Sequence, residues 1–102
     1  MNVMIVDDSA AMRMMIIKTL RQAGLNGHEF SQATDGAAAL EAIRKAPPDV
    51  VLCDWNMPNM TGIELLKAIR ADAGLKNLPV LMITAEAKKE NIIEAAQNGA
   101  SG

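Results

Sequence analysis

The chain has 102 residues, a length that predicts a single domain, and half of its residues are hydrophobic. Ten basic and twelve acidic side chains give a formal net charge of −2, so charge alone does not indicate nucleic-acid binding. The single cysteine excludes an internal disulfide framework and favours a reducing, cytoplasmic location. No apolar run approaches the ~20 residues of a membrane span, and the acidic start of the chain is unlike a signal peptide.

The first half of the chain alternates between strand and helix patterns. Residues 3–6 are apolar at every position, which is typical of a strand buried on both faces of a parallel sheet. A helix follows, ending at Gly24. A weaker strand at residues 28–33 is expected at a sheet edge, and Asp35 is expected to cap a second helix that ends before Pro47. The apolar stripe of the first helix is predicted to consist of Met12, Met15, Ile16, Leu20 and Ala23.

The second half repeats the alternation. Residues 50–53 and 80–83 are two further apolar strands. Thr61 and Glu64 have capping-box spacing at the start of a third helix, which is expected to end at Gly74. A fourth helix is predicted from about residue 88 to residue 98, with Gly99 as its C-terminal cap. The order βαβαβαβα predicts an α/β fold, a parallel sheet with helices on both faces.

Polar residues follow these strands at the carboxyl edge of the predicted sheet, where open α/β sheets bind ligands. Asp7 and Asp8 follow the first strand, and Asp54 follows the third. Like charges a few ångströms apart repel, and a hard divalent cation relieves that repulsion, so the three carboxylates predict a Mg²⁺ site. Taken singly, each aspartate would more often be a turn or helix cap, and only their coincidence on adjacent strand ends favours a site.

The same edge predicts phosphoryl chemistry. A carboxylate beside a metal can act as a nucleophile and form an aspartyl-phosphate. Thr84, after the fourth strand, could donate a hydroxyl hydrogen bond to the phosphoryl group, and the backbone N–H groups of Asn56 and Ala85 could do the same. Thr84 alone would more often be a turn residue. Cys53 lies inside a predicted buried strand and is interpreted as core, as is most of the methionine cluster at residues 12–15.

Three segments resemble the response-regulator receiver domain, and most closely its chemotaxis, CheY-like members. These segments are the aspartate pair at residues 7–8, the run DWNMPNMTG at residues 54–62, and the run TAEAKKEN at residues 84–91. The resemblance covers the whole chain and implies a flavodoxin-like sheet with strand order 2-1-3-4.

The resemblance also implies roles for individual residues. Asp54 would accept a phosphoryl group from a phosphohistidine on a sensor histidine kinase. Asp8, Asp54 and the backbone carbonyl of Asn56 would hold Mg²⁺, with Asp7 helping through a water. The Asn56 side chain would influence hydrolysis, and Thr84 would couple the site to the following helix, a face that partners recognise.

The chain departs from the family pattern at its end. A complete receiver has a fifth strand and helix, with a lysine that contacts the phosphoryl group, whereas no lysine follows Lys89 here. We therefore expect residues 1–102 to form a receiver domain lacking its last strand and helix, an incomplete (βα)4 of a (βα)5 domain. Such a chain is expected to transfer phosphate weakly and to self-associate along its bare fourth strand.

Several functions fit this sequence. The leading hypothesis is a non-enzymatic signalling module whose full-length parent binds a kinase and a flagellar motor switch protein or phosphatase, with no direct binding of nucleic acid or membrane. Alternatives are an inert or self-associating fragment and a receiver cut from a regulator with a DNA-binding output domain. A Mg²⁺-dependent phosphatase with an aspartate nucleophile is disfavoured, because the second Asp of that motif comes two residues after the nucleophile and Asp7-Asp8-Ser9 lacks this spacing.

Overall fold

The computed structural model describes residues 1–25, 27–55, 57, 59–83, 97 and 99–100. Strands and helices alternate along this part of the chain, as the sequence predicts. The four strands are β1 (Asn2–Val6), β2 (Glu29–Ala33), β3 (Val50–Asp54) and β4 (Val80–Ile83). The three α-helices are α1 (Ala10–Leu20), α2 (Gly36–Lys45) and α3 (Gly62–Ala71).

The strands form one parallel sheet in the order β2-β1-β3-β4, which confirms the predicted order and the α/β fold class. Val6 pairs with Ala33 of β2 on one side and with Cys53 of β3 on the other, and Asp54 pairs with Ile83 of β4. All four strands therefore end at the same edge of the sheet. The register brings the residue after β1 level with the last residue of β3.

Side-chain caps fix where α2 and α3 begin. The Asp35 carboxylate accepts a hydrogen bond from the Ala38 N–H at 2.8 Å, as predicted for the α2 cap. Thr61 and Glu64 form the predicted capping box, with reciprocal bonds of 3.3 and 3.1 Å. The prediction that α3 ends at Gly74 is wrong. The helix stops at Ala71, and in the turn that follows the Asp72 carboxylate accepts a hydrogen bond from the Gly74 N–H.

The sheet separates two apolar clusters. The larger cluster lies under α2 and α3, and its buried members are Met4, Val6, Ala33, Ala39, Leu40, Ile43, Val51, Cys53, Met57, Ile63, Leu65, Leu66, Ile69, Leu75, Leu78 and Val80. The smaller cluster lies on the α1 side and buries Val3, Ile5, Ile17 and Leu52. The α2/α3 side therefore carries most of the apolar burial in the described residues.

The first helix differs from its prediction in two respects. Ile17 is buried, with Ile16 and Leu20 partly so, whereas Met14 and Met15 are 56% and 57% exposed. The predicted stripe and the core role of the methionines were therefore wrong at these positions, because the helix turns its Ile16–Ile17–Leu20 side toward the sheet. The α-helix ends at Leu20 and continues as a π-type turn, in which Gly24 has a φ of 107°, a left-handed value that favours glycine.

The fourth strand is only partly buried. Val80 is fully buried, but Leu81 is 36% exposed, so the prediction of burial on both faces holds for β1 and not for the whole of β4. Of the predicted fourth helix, only Gln97 belongs to the described residues, and Gly99 after it has a φ of 91°, as predicted for a helix cap. Among the described helices, none is both long enough and apolar enough to cross a bilayer.

Candidate phosphoacceptor site

Three carboxylates meet at the carboxyl edge of the sheet. Asp7 directly follows β1, Asp8 comes next, and Asp54 is the last residue of β3. One carboxylate oxygen from each can be chosen so that all three lie within 4.8 Å of one another. The structure therefore brings together the three aspartates that the sequence predicted as neighbours.

Asp7 is held by its backbone and by its side chain. It is 5% exposed, its N–H donates to the Ala33 carbonyl of β2 at 3.1 Å, and its carboxylate accepts the Ser9 N–H at 2.8 Å. Ser9 then caps α1 by accepting the Met12 N–H. These bonds fix the turn that connects β1 to α1. Asp8 lies in that turn and is exposed to solvent.

Asp54 is partly buried. One carboxylate oxygen accepts the Trp55 N–H at 2.8 Å. Burial raises the pKa of Asp54 above its ordinary value of 3.8; the Trp55 hydrogen bond opposes this shift, and the charges of Asp7 and Asp8 add to it. Because the negative charges of Asp7 and Asp8 disfavour ionisation of Asp54, a cation bound in the cluster would favour the ionised carboxylate.

Close backbone packing holds the end of β3 against the start of α3. The Gly62 N–H donates to the Trp55 carbonyl at 3.0 Å. A Cβ at position 62 would overlap the Asp54 carbonyl oxygen and would come within 2.9 Å of the Met82 methyl group. Glycine is therefore required at this position for α3 to approach Asp54 this closely.

Cys53 precedes Asp54 and is fully buried in the larger apolar cluster, as predicted. Burial, with the nearby charges of Asp54 and Asp7, raises the pKa of the Cys53 thiol to about 12. Since the reactive form of cysteine is the thiolate, Cys53 is a core residue and not a nucleophile at neutral pH.

The remaining predicted site residues, Asn56, Thr84 and Ala85, lie outside the described residues. Their suggested roles as a metal-binding carbonyl, a hydroxyl donor and a backbone donor remain predictions.

Sequence reasoning missed Arg13, which contacts the site, and Gln32, which binds Arg13. Arg13 of α1 donates to the Asp7 carbonyl at 2.5 Å and to the Gln32 side chain of β2 at 2.9 Å. A signal was available, because a cation close to the start of a helix is unfavourable beside the positive end of the helix dipole. A basic residue at that place indicates an acceptor near the end of β1.

The donor set suits a hard divalent cation. The cluster offers oxygen ligands only, from carboxylates that repel one another when ionised, and Asp8 is exposed while Asp54 is partly accessible. Mg²⁺ prefers few carboxylates together with retained water, which fits a site with one buried and two accessible ligands. No sulfur or imidazole ligand belongs to the cluster, so its chemistry does not favour zinc.

Comparisons with known proteins agree with this architecture. The family model described as the response regulator receiver domain matches residues 3–102. The chain is 55% identical to chemotaxis protein CheY-3 of Vibrio cholerae over all 102 residues, covering 77% of that relative. It is 51% identical to chemotaxis protein CheY of Pseudomonas aeruginosa, again over the whole chain, and covers 81% of it.

Solved structures show the same fold. The crystal structure of CheY4 from Vibrio cholerae matches 99% of this chain and 82% of its own length, with a TM-score of 0.86 and 42% identity. A response regulator from Chloroflexus aurantiacus matches 98% of this chain and 80% of its own, with a TM-score of 0.89 and 35% identity. The chain therefore belongs to the response regulator receiver domain family.

Proposed function

We propose that this chain is the phosphoacceptor module of a two-component signalling system. Asp54 accepts a phosphoryl group from a sensor histidine kinase, Mg²⁺ binds beside it, and the phosphorylated domain changes its binding surface. The chemotaxis relatives support a role in chemotaxis, which we propose to be control of the flagellar motor. In this role the chain is a substrate of the kinase and a binding module, and not an enzyme with turnover of its own substrate.

One observation carries the proposal: three carboxylates converge at the end of the sheet, and the partly accessible one on β3 follows three buried strand residues, Val51, Leu52 and Cys53. Such a carboxylate is held in one position and can be reached by a donor from solvent. Accessibility together with fixed orientation is what an in-line displacement requires of its nucleophile.

The transfer step balances as a displacement at phosphorus. An Asp54 carboxylate oxygen forms the new O–P bond as the P–N bond to the donor imidazole breaks. The electron pair of the P–N bond returns to the imidazole nitrogen, which gains a proton from solvent. Hydrolysis reverses the modification, because a water oxygen attacks phosphorus and the Asp54 carboxylate leaves.

Asp7, Asp8, Asp54 and the carbonyl of Asn56 would hold Mg²⁺. The bound ion would neutralise negative charge on the cluster and on the phosphoryl oxygens. The chain's own residues perform the other tasks. Asp7 is fixed by Ala33 and Ser9, Asp8 offers an accessible carboxylate, and the Trp55 N–H orients the acceptor carboxylate.

Thr84 and Ala85 complete the proposal as donors to the phosphoryl oxygens, with Thr84 coupling the site to the segment after β4. The partners that follow are a histidine kinase and, downstream, a flagellar motor switch protein or a phosphatase. Asn56 is proposed to set the lifetime of the phosphoryl group through the approach of water.

Trp55 provides the test, because it is the only tryptophan, it adjoins Asp54, and its backbone N–H donates a hydrogen bond to the Asp54 carboxylate. Mg²⁺ should change its fluorescence in a saturable way, and beryllofluoride, which mimics a phosphoryl group, should change it further. Asp54→Asn should lose the beryllofluoride response. Glu41→Gln, which removes an exposed carboxylate on α2, should keep both responses.

Two results would contradict the proposal. Absence of any Mg²⁺ or beryllofluoride response in the parent chain would indicate an inert domain. Continuous release of phosphate from a phosphate ester, at many turnovers per chain, would indicate a phosphatase instead.

A further inference from the structure

Arg13 is a basic side chain that hydrogen-bonds directly to the backbone of the acidic cluster. Its guanidinium donates to a backbone carbonyl, that of Asp7, and to the side-chain amide oxygen of Gln32. The ion pairs found in the described residues, Arg44–Asp72 and Lys45–Glu41, lie elsewhere. Within the described residues, Arg13 therefore binds neutral oxygens and forms no ion pair with a carboxylate of the cluster.

The Asp7 carbonyl belongs to the peptide that joins Asp7 to Asp8. This peptide unit is planar, so a bond that fixes the carbonyl also fixes the direction in which the chain enters Asp8. Within the part of the chain that the structure describes, the Asp8 carboxylate accepts no hydrogen bond, so its position depends on its backbone.

Gln32 gives Arg13 a second attachment on a different strand. It lies on β2 opposite Ile5 of β1, on the side of the sheet that α1 covers. One guanidinium thus joins three elements: the helix that carries it, the end of β1, and β2. Arginine suits this task because its donors are arranged in a rigid planar fork.

We propose that Arg13 is a positioning residue, which orients the Asp7–Asp8 peptide so that the Asp8 carboxylate points into the cluster and binds the divalent cation. The inference rests on the proposed function, since it assigns a role at the same Mg²⁺ site. It extends that function to a residue of α1 and a residue of β2 that do not contact the ion.

The charge of Arg13 and its positioning role predict opposite changes in Mg²⁺ affinity when Arg13 is replaced. A positive charge near the site repels a cation, so removing the charge alone would tighten Mg²⁺ binding. Removing a positioning bond would weaken it, and partners of metal ligands typically contribute about tenfold or more to metal affinity. The sign of the change therefore separates the two roles, which a stability measurement alone does not.

The experiment is a Mg²⁺ titration of the whole chain, followed by Trp55 fluorescence. Arg13→Met, which keeps the length and loses the charge, should raise the Mg²⁺ dissociation constant about tenfold. Gln32→Ala, which keeps the Arg13 charge and removes its second attachment, should raise the dissociation constant by a smaller factor than Arg13→Met does. Lys18→Met removes an exposed charge from the same helix and should leave it unchanged.

Phosphorylation adds a second readout. At saturating Mg²⁺, Arg13→Met should reach the same extent of modification by a small phosphodonor as the parent chain, because Asp54 itself is intact. Urea denaturation without Mg²⁺ shows whether each variant is folded, and Gln32→Ala decides the matter if Arg13→Met does not fold.

Unchanged or tighter Mg²⁺ binding in both Arg13→Met and Gln32→Ala, beside a parent chain that responds to Mg²⁺, would overturn the positioning role while leaving the proposed function intact. A defect in phosphorylation that saturating Mg²⁺ does not restore would also overturn it. A parent chain without any Mg²⁺ response would contradict the proposed function, and the role of Arg13 would fall with it.

Discussion

Two neighbouring regions of the molecule differ sharply in polarity. The α2/α3 side of the sheet is apolar, whereas the carboxyl edge of the same strands, one residue further along the chain, is acidic. Val6 and Cys53 are almost completely buried in the apolar cluster, and the next residues along their strands are Asp7 and Asp54. The apolar side stabilises the fold by burial, whereas the edge concentrates carboxylates that repel one another. Close packing on the apolar side therefore holds mutually repelling carboxylates in fixed positions at the edge.

The largest effect is expected from a break on the apolar side. Leu66 of α3 is fully buried, so Leu66→Ala removes packed atoms and leaves a cavity under the helix. The free energy of unfolding should fall by about 2–5 kcal/mol, as measured by urea denaturation. The neighbouring exposed Lys67→Ala should change it by less than about 0.5 kcal/mol. A loss at Leu66 no larger than that at Lys67 would show that the α3 contact is loose.

A change where the two regions meet should affect both. In Gly62→Ala the new methyl group would overlap the Asp54 carbonyl, so α3 must move away from β3. Forced overpacking of this kind typically costs about 1–3 kcal/mol of stability. We also expect weaker Mg²⁺ binding by Trp55 fluorescence, since the new methyl group would press on the Asp54 carbonyl and shift Asp54 relative to Asp7 and Asp8.

Gly74→Ala is the matched control for this change. At Gly74 the added Cβ would meet the Asp72 carboxylate at 3.5 Å, an ordinary contact. Stability and Mg²⁺ affinity should therefore stay close to those of the parent chain. Equal effects of the two glycine substitutions would contradict the close approach of Gly62 to Asp54.

A smaller and opposite effect is expected at the carboxyl edge. Without Mg²⁺, Asp54→Asn removes one of three repelling charges and should raise the free energy of unfolding by up to about 1 kcal/mol, a value reduced by solvent screening. With Mg²⁺ the order should reverse, because the ion stabilises the folded parent chain by mass action and binds the variant poorly. Denaturation with and without Mg²⁺ measures both signs, and a loss of stability in the absence of Mg²⁺ would argue against repulsion at this edge.

The smallest expected effect is the pH dependence of the stability difference between Asp54→Asn and the parent chain. Burial first, and then the charges of Asp7 and Asp8, raise the pKa of Asp54, so the folded chain binds a proton at this group more tightly than the unfolded chain does. The stabilisation by protonation is therefore complete below the unfolded pKa of about 4 and is lost as pH rises through the raised folded-state pKa.

The advantage of Asp54→Asn over the parent should thus be present at pH 7 and should shrink as pH falls through the folded-state pKa of Asp54. Urea denaturation of both chains at a series of pH values, without Mg²⁺, measures this change. A difference that stays constant with pH would show that the Asp54 carboxylate is not perturbed in the folded chain.

Much of the fold could be predicted because its signals are local. Apolar runs of the right length gave the strands, and Asp35 and Thr61 marked the helix starts through bonds that span only three residues. The meeting of Asp7, Asp8 and Asp54 was predictable as well, because parallel strands end at one edge.

Features that depend on contacts between distant elements could not be predicted. The orientation of α1 over the sheet decides that Ile17 is buried and Met15 is exposed, and both residues are apolar in the sequence. Likewise Arg13 reaches Gln32, 19 positions further along the chain, only because α1 packs on that side of the sheet. The close approach of Gly62 to Asp54 also depends on how α3 packs against the end of β3.

The most direct test of the central claim is to locate the phosphoryl group. The parent chain is treated with a small phosphodonor and Mg²⁺, the acyl phosphate is reduced with borohydride to trap the modified aspartate as homoserine, and peptides are analysed by mass spectrometry. The account predicts a Mg²⁺-dependent conversion at Asp54 alone, abolished in Asp54→Asn. Modification at Asp7 or Asp8 instead, or no modification of a folded chain that binds Mg²⁺, would contradict it.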